Sequence, residues 1–252
     1  MKLKRSFVIT LFSLLLVTLL STATFAACTN VVVGKDASVD GSVMTSHTVD
    51  GQYDARVKVV PGQEFEEGAM KEIKNNICHA GIPGYEVSVV GEIPQAEETY
   101  TYFHAGYPFM NEHQVIIGET TFAGRGELTN ENAMLKIEQL EILGLQRAKT
   151  AREAIKVMGR LAEEYGYRES CWLGECLTVT DPNEAWVFEI FGVGPLWTKD
   201  SGKSGAVWAA KRVPDGHVTV VPNMSRIPEI PENHEEIEGL MVSDNYKETA
   251  IQ

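Results

Sequence analysis

The sequence predicts an α+β domain with mostly antiparallel sheet. Short β-branched runs occupy both ends of the chain, two consecutive helical stretches lie between them, and turn signals separate the strands at short intervals. Val31–Val33 and Ser42–Val49 are strand-like runs on either side of a Gly34–Gly41 loop. Val57–Val60, Tyr100–His104 and Gln114–Phe122 follow as strands. Ala133–Ala148 then carries Met134, Ile137, Leu140 and Leu143 or Gly144 at helical spacing. Thr150-Ala151-Arg152-Glu153 reads as a capping box that opens a second helix. That helix places Ala154, Val157, Met158, Leu161 and Ala162 on one face and closes near Gly166. Cys176–Thr180 and Ala185–Phe191 are strands joined by Asp181-Pro182-Asn183, where proline fixes φ and the flanking side chains bond local backbone. Val207–Lys211 and Val218–Val221 pair around Pro214-Asp215-Gly216, and Ser243 is expected to cap a last helix over Asp244–Ile251.

Residues 1–27 read as an export signal. Lys2, Lys4 and Arg5 lead, an apolar stretch runs from Phe7 to Leu20, and small residues follow. The apolar stretch is broken by Thr10, Ser13 and Thr18 and is shorter than the roughly 20 residues of a membrane span. Cleavage falls after Ala26 or Ala27, and the first cut leaves one more residue to remove ahead of Cys28. Exposure of Cys28 would put a thiol and a free α-amine on one residue, a nucleophile with its own base. Phe25-Ala26-Ala27-Cys28 also resembles a lipoprotein processing site, in which Cys28 becomes a lipid anchor and both groups are consumed.

Charge and cysteines narrow the class. The chain carries −13, and removing the leader's three cations leaves 19 basic against 35 acidic residues, or −16. A general nucleic-acid binder needs clustered Lys and Arg and is excluded. The 225 residues from Cys28 onward, with 44% hydrophobic residues over the chain, suit one large domain or two small ones. Four cysteines are too few for a disulfide scaffold. Cys171 and Cys176 could pair, but Cys78 is then left over. A zinc reading of Cys171 and Cys176 lacks a second ligand pair.

The candidate chemistry gathers at the first hairpin. With Val33 opposite Ser42, counting outward puts Cys28 across from His47, at a Cβ separation of roughly 4.5–5.5 Å. Asp50 falls just beyond, placed to receive the α-ammonium. A one-residue slip would turn His47 away. A nearby cation would lower the thiol pKa, and an α-amine of pKa ~8 can serve as base near neutrality.

Cys28-Thr29-Asn30, Gly34-Lys35-Asp36-Ala37-Ser38, Asp40-Gly41-Ser42 and His47-Thr48-Val49-Asp50 resemble the opening of the bacterial dipeptidase A family. These are N-terminal nucleophile cysteine peptidases related to penicillin V acylases and bile-salt hydrolases. The resemblance continues at Asn111-Glu112-His113-Gln114-Val115, Gly118-Glu119-Thr120-Thr121-Phe122, Arg147 and Thr150–Ile155. It returns at Thr180–Trp186 and Asn223-Met224-Ser225-Arg226-Ile227, so it spans nearly the whole mature chain in order. It implies a four-layer αββα sandwich. Cys28 would be the nucleophile with its α-amine as base, and Asp50 the acid that orients that amine. Asn111 and Asn223 would be amide donors to the oxyanion or the amine. Read alone, each asparagine is equally a turn or loop residue. Two departures stand out: the family commonly has arginine at the position of His47, and its members run longer, so residues 28–252 are expected to form a domain truncated at its C-terminus.

The expected function is an exported cysteine dipeptidase acting through an acyl-enzyme on short peptides, without metal or cofactor, in the extracellular space, periplasm or cell envelope. Two alternatives remain. One is an N-acyl amide hydrolase of the penicillin V acylase or bile-salt hydrolase type. The other is an inactive, lipid-anchored or truncated binding protein. No membrane span is expected once the leader is removed.

Overall fold

The structure, a computed structural model, describes residues 28–168 and 174–247. The leader, Cys171 and the end of the expected last helix lie outside them. The strands in chain order are β1 (Thr29–Val33), β2 (Met44–Thr48), β3 (Lys58–Val60), β4 (Gln63–Glu64), β5 (Met70–Asn75), β6 (Ser88–Pro94), β7 (Glu98–Thr99), β8 (Tyr102–His104), β9 (Pro108–Asn111) and β10 (Ile116–Phe122). Helices α1 (Ile137–Arg147) and α2 (Ala151–Tyr165) follow. Then come β11 (Gly174–Thr180), β12 (Ala185–Phe191), β13 (Val207–Val213), β14 (Val218–Val221) and β15 (Leu240–Val242).

The expected α+β class holds. A large sheet runs β15-β13-β12-β11-β10-β9-β8-β3, and a small one runs β14-β1-β2. The strand pairs in both are antiparallel. The period-two alternation of strands divides the large sheet between two cores. Leu177, Val179, Trp186, Phe188, Ile190 and Ala210 pack with the two helices. Cys176, Ala185, Val187 and Val213 face the other way, onto Val32 and Val221 of the small sheet. The result is three layers: helices, large sheet, small sheet. Among the described residues no second helical layer covers the outer face of the small sheet, where Met44, Val218 and Val220 are exposed.

Helix α1 starts later than the apolar spacing suggests. Met134 and Leu135 donate instead to the carbonyls of Tyr165 and Gly166, and Leu135 bridges Tyr167, so the chain is extended until Lys136. From Ile137 to Leu145 α1 is buried all round, including Glu138, Gln139 and Glu141. Helix α2 begins as its sequence dictates. Thr150 Oγ1 accepts from Glu153 N at 3.2 Å, and the Glu153 carboxylate accepts from Lys149 N at 2.8 Å, one residue ahead of the expected partner. Gly166 closes it at φ +80°, a conformation that favours glycine. Ser243 does not cap a helix. Its N–H donates to the Trp208 carbonyl and its hydroxyl accepts from Trp208 N, so it extends the β13–β15 pairing, and Tyr246 then turns back onto it. The thiol of Cys176 donates to Glu189 at 3.9 Å.

Asp181 joins the β11–β12 turn to the helical layer. Its Oδ1 accepts from Asn183 N at 2.8 Å and Glu184 N at 3.0 Å, and its Oδ2 accepts from Ala151 N at 2.9 Å, at the start of α2. Three backbone donors lose their acceptor if this carboxylate goes, each costing about 1 kcal/mol or more. Asp181→Ala is therefore expected to lower stability by about 2–4 kcal/mol and the melting temperature by several degrees. A thermal melt unchanged within a degree would refute this role.

Candidate active site

Cys28 stands at the entrance to β1 and is only 8% exposed. The register of β1 with β2 pairs Thr29 with Thr48 and Asn30 with His47. The expected Cys28–His47 pairing is therefore off by two residues. The loop after β1 is longer than the hairpin count assumed: Gly34 and Asp36 donate to the carbonyls of His217 and Asp215, and a side chain at Gly34 would collide with Asp215. A slip of two preserves the face of every side chain, so Cys28, Asn30 and His47 still point the same way, toward the large sheet. One step further, Cys28 is level with Val49, and Asp50 follows as an exposed residue. On the other flank Asn30 pairs with Val221, which places Asn223 level with Cys28 two residues on.

These residues meet the large sheet where it opens. Among the described residues, strand β9 pairs with β10 only through Met110 and Ile116, and beyond that point no strand lies on this edge of β10. Side chains take the place of the strand. The His47 ring hydrogen-bonds to the main chain of Glu119. Asn223 Nδ2 donates to the Thr121 carbonyl at 2.6 Å, from a backbone at φ +49°. Asn30 fits over Gly118, where a Cβ would come within 3.1 Å of its amide nitrogen. Its amide is fully buried with neither polar atom hydrogen-bonded.

His47 is not a cation here. Burial is the main cause, outweighing the hydrogen bond to Glu119, and it pulls the imidazole pKa down to about 4. Nε2 is buried without a partner. At neutral pH the ring is neutral, so the thiolate stabilisation expected of a charged His47 is absent.

Asn111 is also corrected. Its Nδ2 donates to the carbonyls of Leu145 and Ala148 at 2.9 and 2.8 Å, and its Oδ1 accepts from His113 N and Val115 N, each at 3.0 Å. Both amide protons are committed to the end of α1, so none remains for an oxyanion. Asn223 does lie level with Cys28, but its amide donor is engaged and its Oδ1 is buried without a partner.

Buried carboxyls and an aromatic wall were not singled out by the sequence. Glu119 is buried on β10, its carboxyl hydrogen-bonded to Glu175, Thr121 and the Cys28 thiol. Burial is the largest influence on Glu119 and pushes its pKa up, with Glu138 adding to the effect. Glu141 on α1 is fully buried and pushed well up by burial, then by Glu119 and Glu138. The signal was present in Gly118-Glu119-Thr120-Thr121, an acid inside a strand with no polar alternation. Tyr107 sits edge-on to His47 at 6.1 Å, and Tyr53 lies 5.4 Å from Tyr107. These rings separate two cavities. One, of about 500 Å³, is lined by His47, Val49, Met110 and Ile117. The other, of about 230 Å³, holds Asp50, His79, Lys136 and Glu138.

The depressed pKa of His47 makes a signed prediction. The unfolded chain takes up a proton near pH 6.5 that the folded chain refuses until about pH 4. The stability this represents is present above pH 6.5 and is lost as pH falls to 4, about 3 kcal/mol across the window. The melting temperature of the wild type should drop more between pH 7.5 and pH 4.5 than that of His47→Gln. Equal drops would refute the neutral, buried ring.

Comparison with known proteins gives the family of the chain. The sequence is 26% identical over 221 residues to a dipeptidase of Bifidobacterium longum (strain NCC 2705), covering 81% of this chain and 38% of that protein. It is 27% identical over 242 residues to a probable dipeptidase of Latilactobacillus sakei, covering 88% of this chain and 46% of the relative. A probable dipeptidase of Salmonella dublin gives 27% over 227 residues, with 84% and 46% covered. The chain thus spans less than half the length of these curated relatives. Residues 27–252 match peptidase family C69, and the chain belongs to that family.

Proposed function

We propose that this protein is an exported cysteine dipeptidase whose nucleophile is Cys28. The observation that carries the reading is the position of Cys28: it opens β1, directly after a leader-like sequence, and lies between Val49 and Asn223 at the open edge of β10. Its sulfur would attack the peptide carbonyl and expel the amine. Water would then release the acyl group. Once the residues ahead of Cys28 are gone, its α-amine can act as base, with Asp50, next after the Val49 that lies level with Cys28, to orient the ammonium. The fourth layer of the family's sandwich would lie over the exposed outer face of the small sheet.

The two cavities favour a short peptide over a bulky N-acyl amide. The larger is apolar and aromatic with a neutral imidazole, which suits an uncharged side chain. The smaller carries Lys136 beside Asp50 and Glu138, which suits charged peptide termini. A dipeptide offers both chemistries within a few ångströms.

The purified protein should hydrolyse dipeptides, and Cys28→Ser should slow this at least ~100-fold while the melting curve stays unchanged. Iodoacetamide should inactivate it. EDTA should not, because none of the six histidines lies in an H-E-x-x-H pattern. Wild-type turnover by Cys28→Ser would end the nucleophile assignment. Loss of activity in chelator, restored by zinc, would end the thiol mechanism.

A further inference from the structure

The nucleophile has a neighbour with no assigned role. Glu119 is almost fully buried, and its carboxyl is hydrogen-bonded to the Cys28 thiol. Thr121 Oγ1 lies 2.8 Å from Glu119 Oε1 and 3.2 Å from Glu175 Oε1, which fixes the carboxyl's orientation. Glu175 hydrogen-bonds the same group. Two carboxyls in contact share one proton, since a second negative charge would be repelled at short range. The pair then carries a single negative charge, and Glu119 is the member whose carboxyl faces the thiol.

We propose that Glu119 is the proton acceptor for Cys28, able to activate the thiol while the Cys28 nitrogen is still bound in the peptide to Ala27. This rests on the reading of Cys28 as the nucleophile. The freed α-amine cannot serve at that stage, because an amide nitrogen is not basic. His47 is a poor acceptor, since burial pulls its imidazole pKa down to about 4 and one ring nitrogen is held by the Glu119 main chain. In the attack the S–H bond breaks and its proton passes to a Glu119 oxygen. The sulfur lone pair forms the S–C bond, and the carbonyl π pair moves to oxygen. When the tetrahedral adduct collapses, the C–N bond breaks and Glu119 returns the proton to the departing nitrogen. One negative charge moves from carboxylate to substrate oxygen, so no new charge is created in a buried site.

The surroundings keep this acceptor in the useful range. Burial raises the Glu119 pKa, and the groups facing it from other elements are mostly acidic or neutral. They are Glu175 on β11, Glu138 and Glu141 on α1, Tyr107 before β9, Cys78 in the turn after β5, and His47 on β2. A base poised nearer neutrality than an ordinary carboxylate is what general-base attack by a thiol requires.

The test uses the full 252-residue chain, in which the Cys28 nitrogen is acylated, with intact mass confirming that it is unprocessed. Iodoacetamide labelling of Cys28 is followed by peptide mapping from about pH 5 to about pH 8. Here the sulfur displaces iodide and Glu119 takes the proton. The coupled pair predicts a rate that rises and then levels off once the carboxyl pair has lost its first proton. Glu119→Gln removes the acceptor, so its labelling should climb about tenfold per pH unit through the same range as thiolate accumulates. Glu119→Asp should restore the levelled profile at a slower rate. A wild-type profile with no levelling, or a Glu119→Gln profile of the same shape as wild type, overturns the proposal. The wild-type curve decides even if the glutamine variant does not fold. The underlying reading fails separately, through normal dipeptide turnover by Cys28→Ser.

Discussion

The site depends on an unfinished sheet edge. After the single Met110–Ile116 pair, β9 leaves β10, and the carbonyls of Glu119 and Thr121 would stand unpaired in a water-poor interior. An unpaired buried carbonyl costs as much as a lost hydrogen bond. The chain answers with side chains from the small sheet and its extension: the His47 ring at Glu119 and the Asn223 amide at Thr121. These two bonds fix how the small sheet sits on the large one. They also bring the start of β1 to the gap, with Cys28 immediately ahead of its first residue, Thr29.

Charge is handled there without an imidazolium beside Cys28. Glu119, Glu138 and Glu141 are buried within mutual influence, and Cys78 is pushed up by burial first and then by the same acids. Burial pushes the Glu119 and Glu141 carboxyls up, toward their protonated forms. An arginine at the position of His47 would offset this negative field permanently, whereas a buried imidazole does not. The consequence is a thiol whose proton is managed by a carboxyl partner rather than by a positive neighbour.

Much of the fold was legible because its signals are local. The capping threonine at position 150, Gly166 and the Asp181-Pro182-Asn183 turn each act within a few residues, and α2, β11 and β12 fall where they indicate. Strands β4 to β7 were not legible: Met70–Asn75 contains one fully buried residue, Ile73, among polar neighbours, so no alternation marks it. The hairpin register failed because its loop is held by Asp215 and His217, about 180 residues away in sequence. Ser243 failed for a similar reason, since its partner is Trp208 on β13. At the site, the face of Cys28 and His47 survived the register error because the slip was even. The charge of His47 and the role of Asn111 did not, because both are set by tertiary burial and by backbone groups of α1. The same dependence hid Glu119, whose carboxyl acquires its thiol partner only when the two sheets stack.

The layer that carries Cys28 is also the less anchored one. The helices and the inner face of the large sheet share a core with more than a dozen fully buried apolar side chains. The small sheet meets the large one through a second, much smaller cluster centred on Val32, Phe122, Val187 and Val221. Stability is distributed accordingly, with opening of the small sheet costing less than opening of the helical core. The polar contacts at the gap then do two jobs. They close the edge of β10, and they add directional holding to a layer with little apolar area to hold it. An apolar replacement for Asn223 would raise the buried area but remove that directionality, weakening the hold against a two-residue slide that would turn no side chain to the wrong face. Position along the strand, and with it the distance from Cys28 to Glu119, is what the Asn223 amide and the imidazole supply.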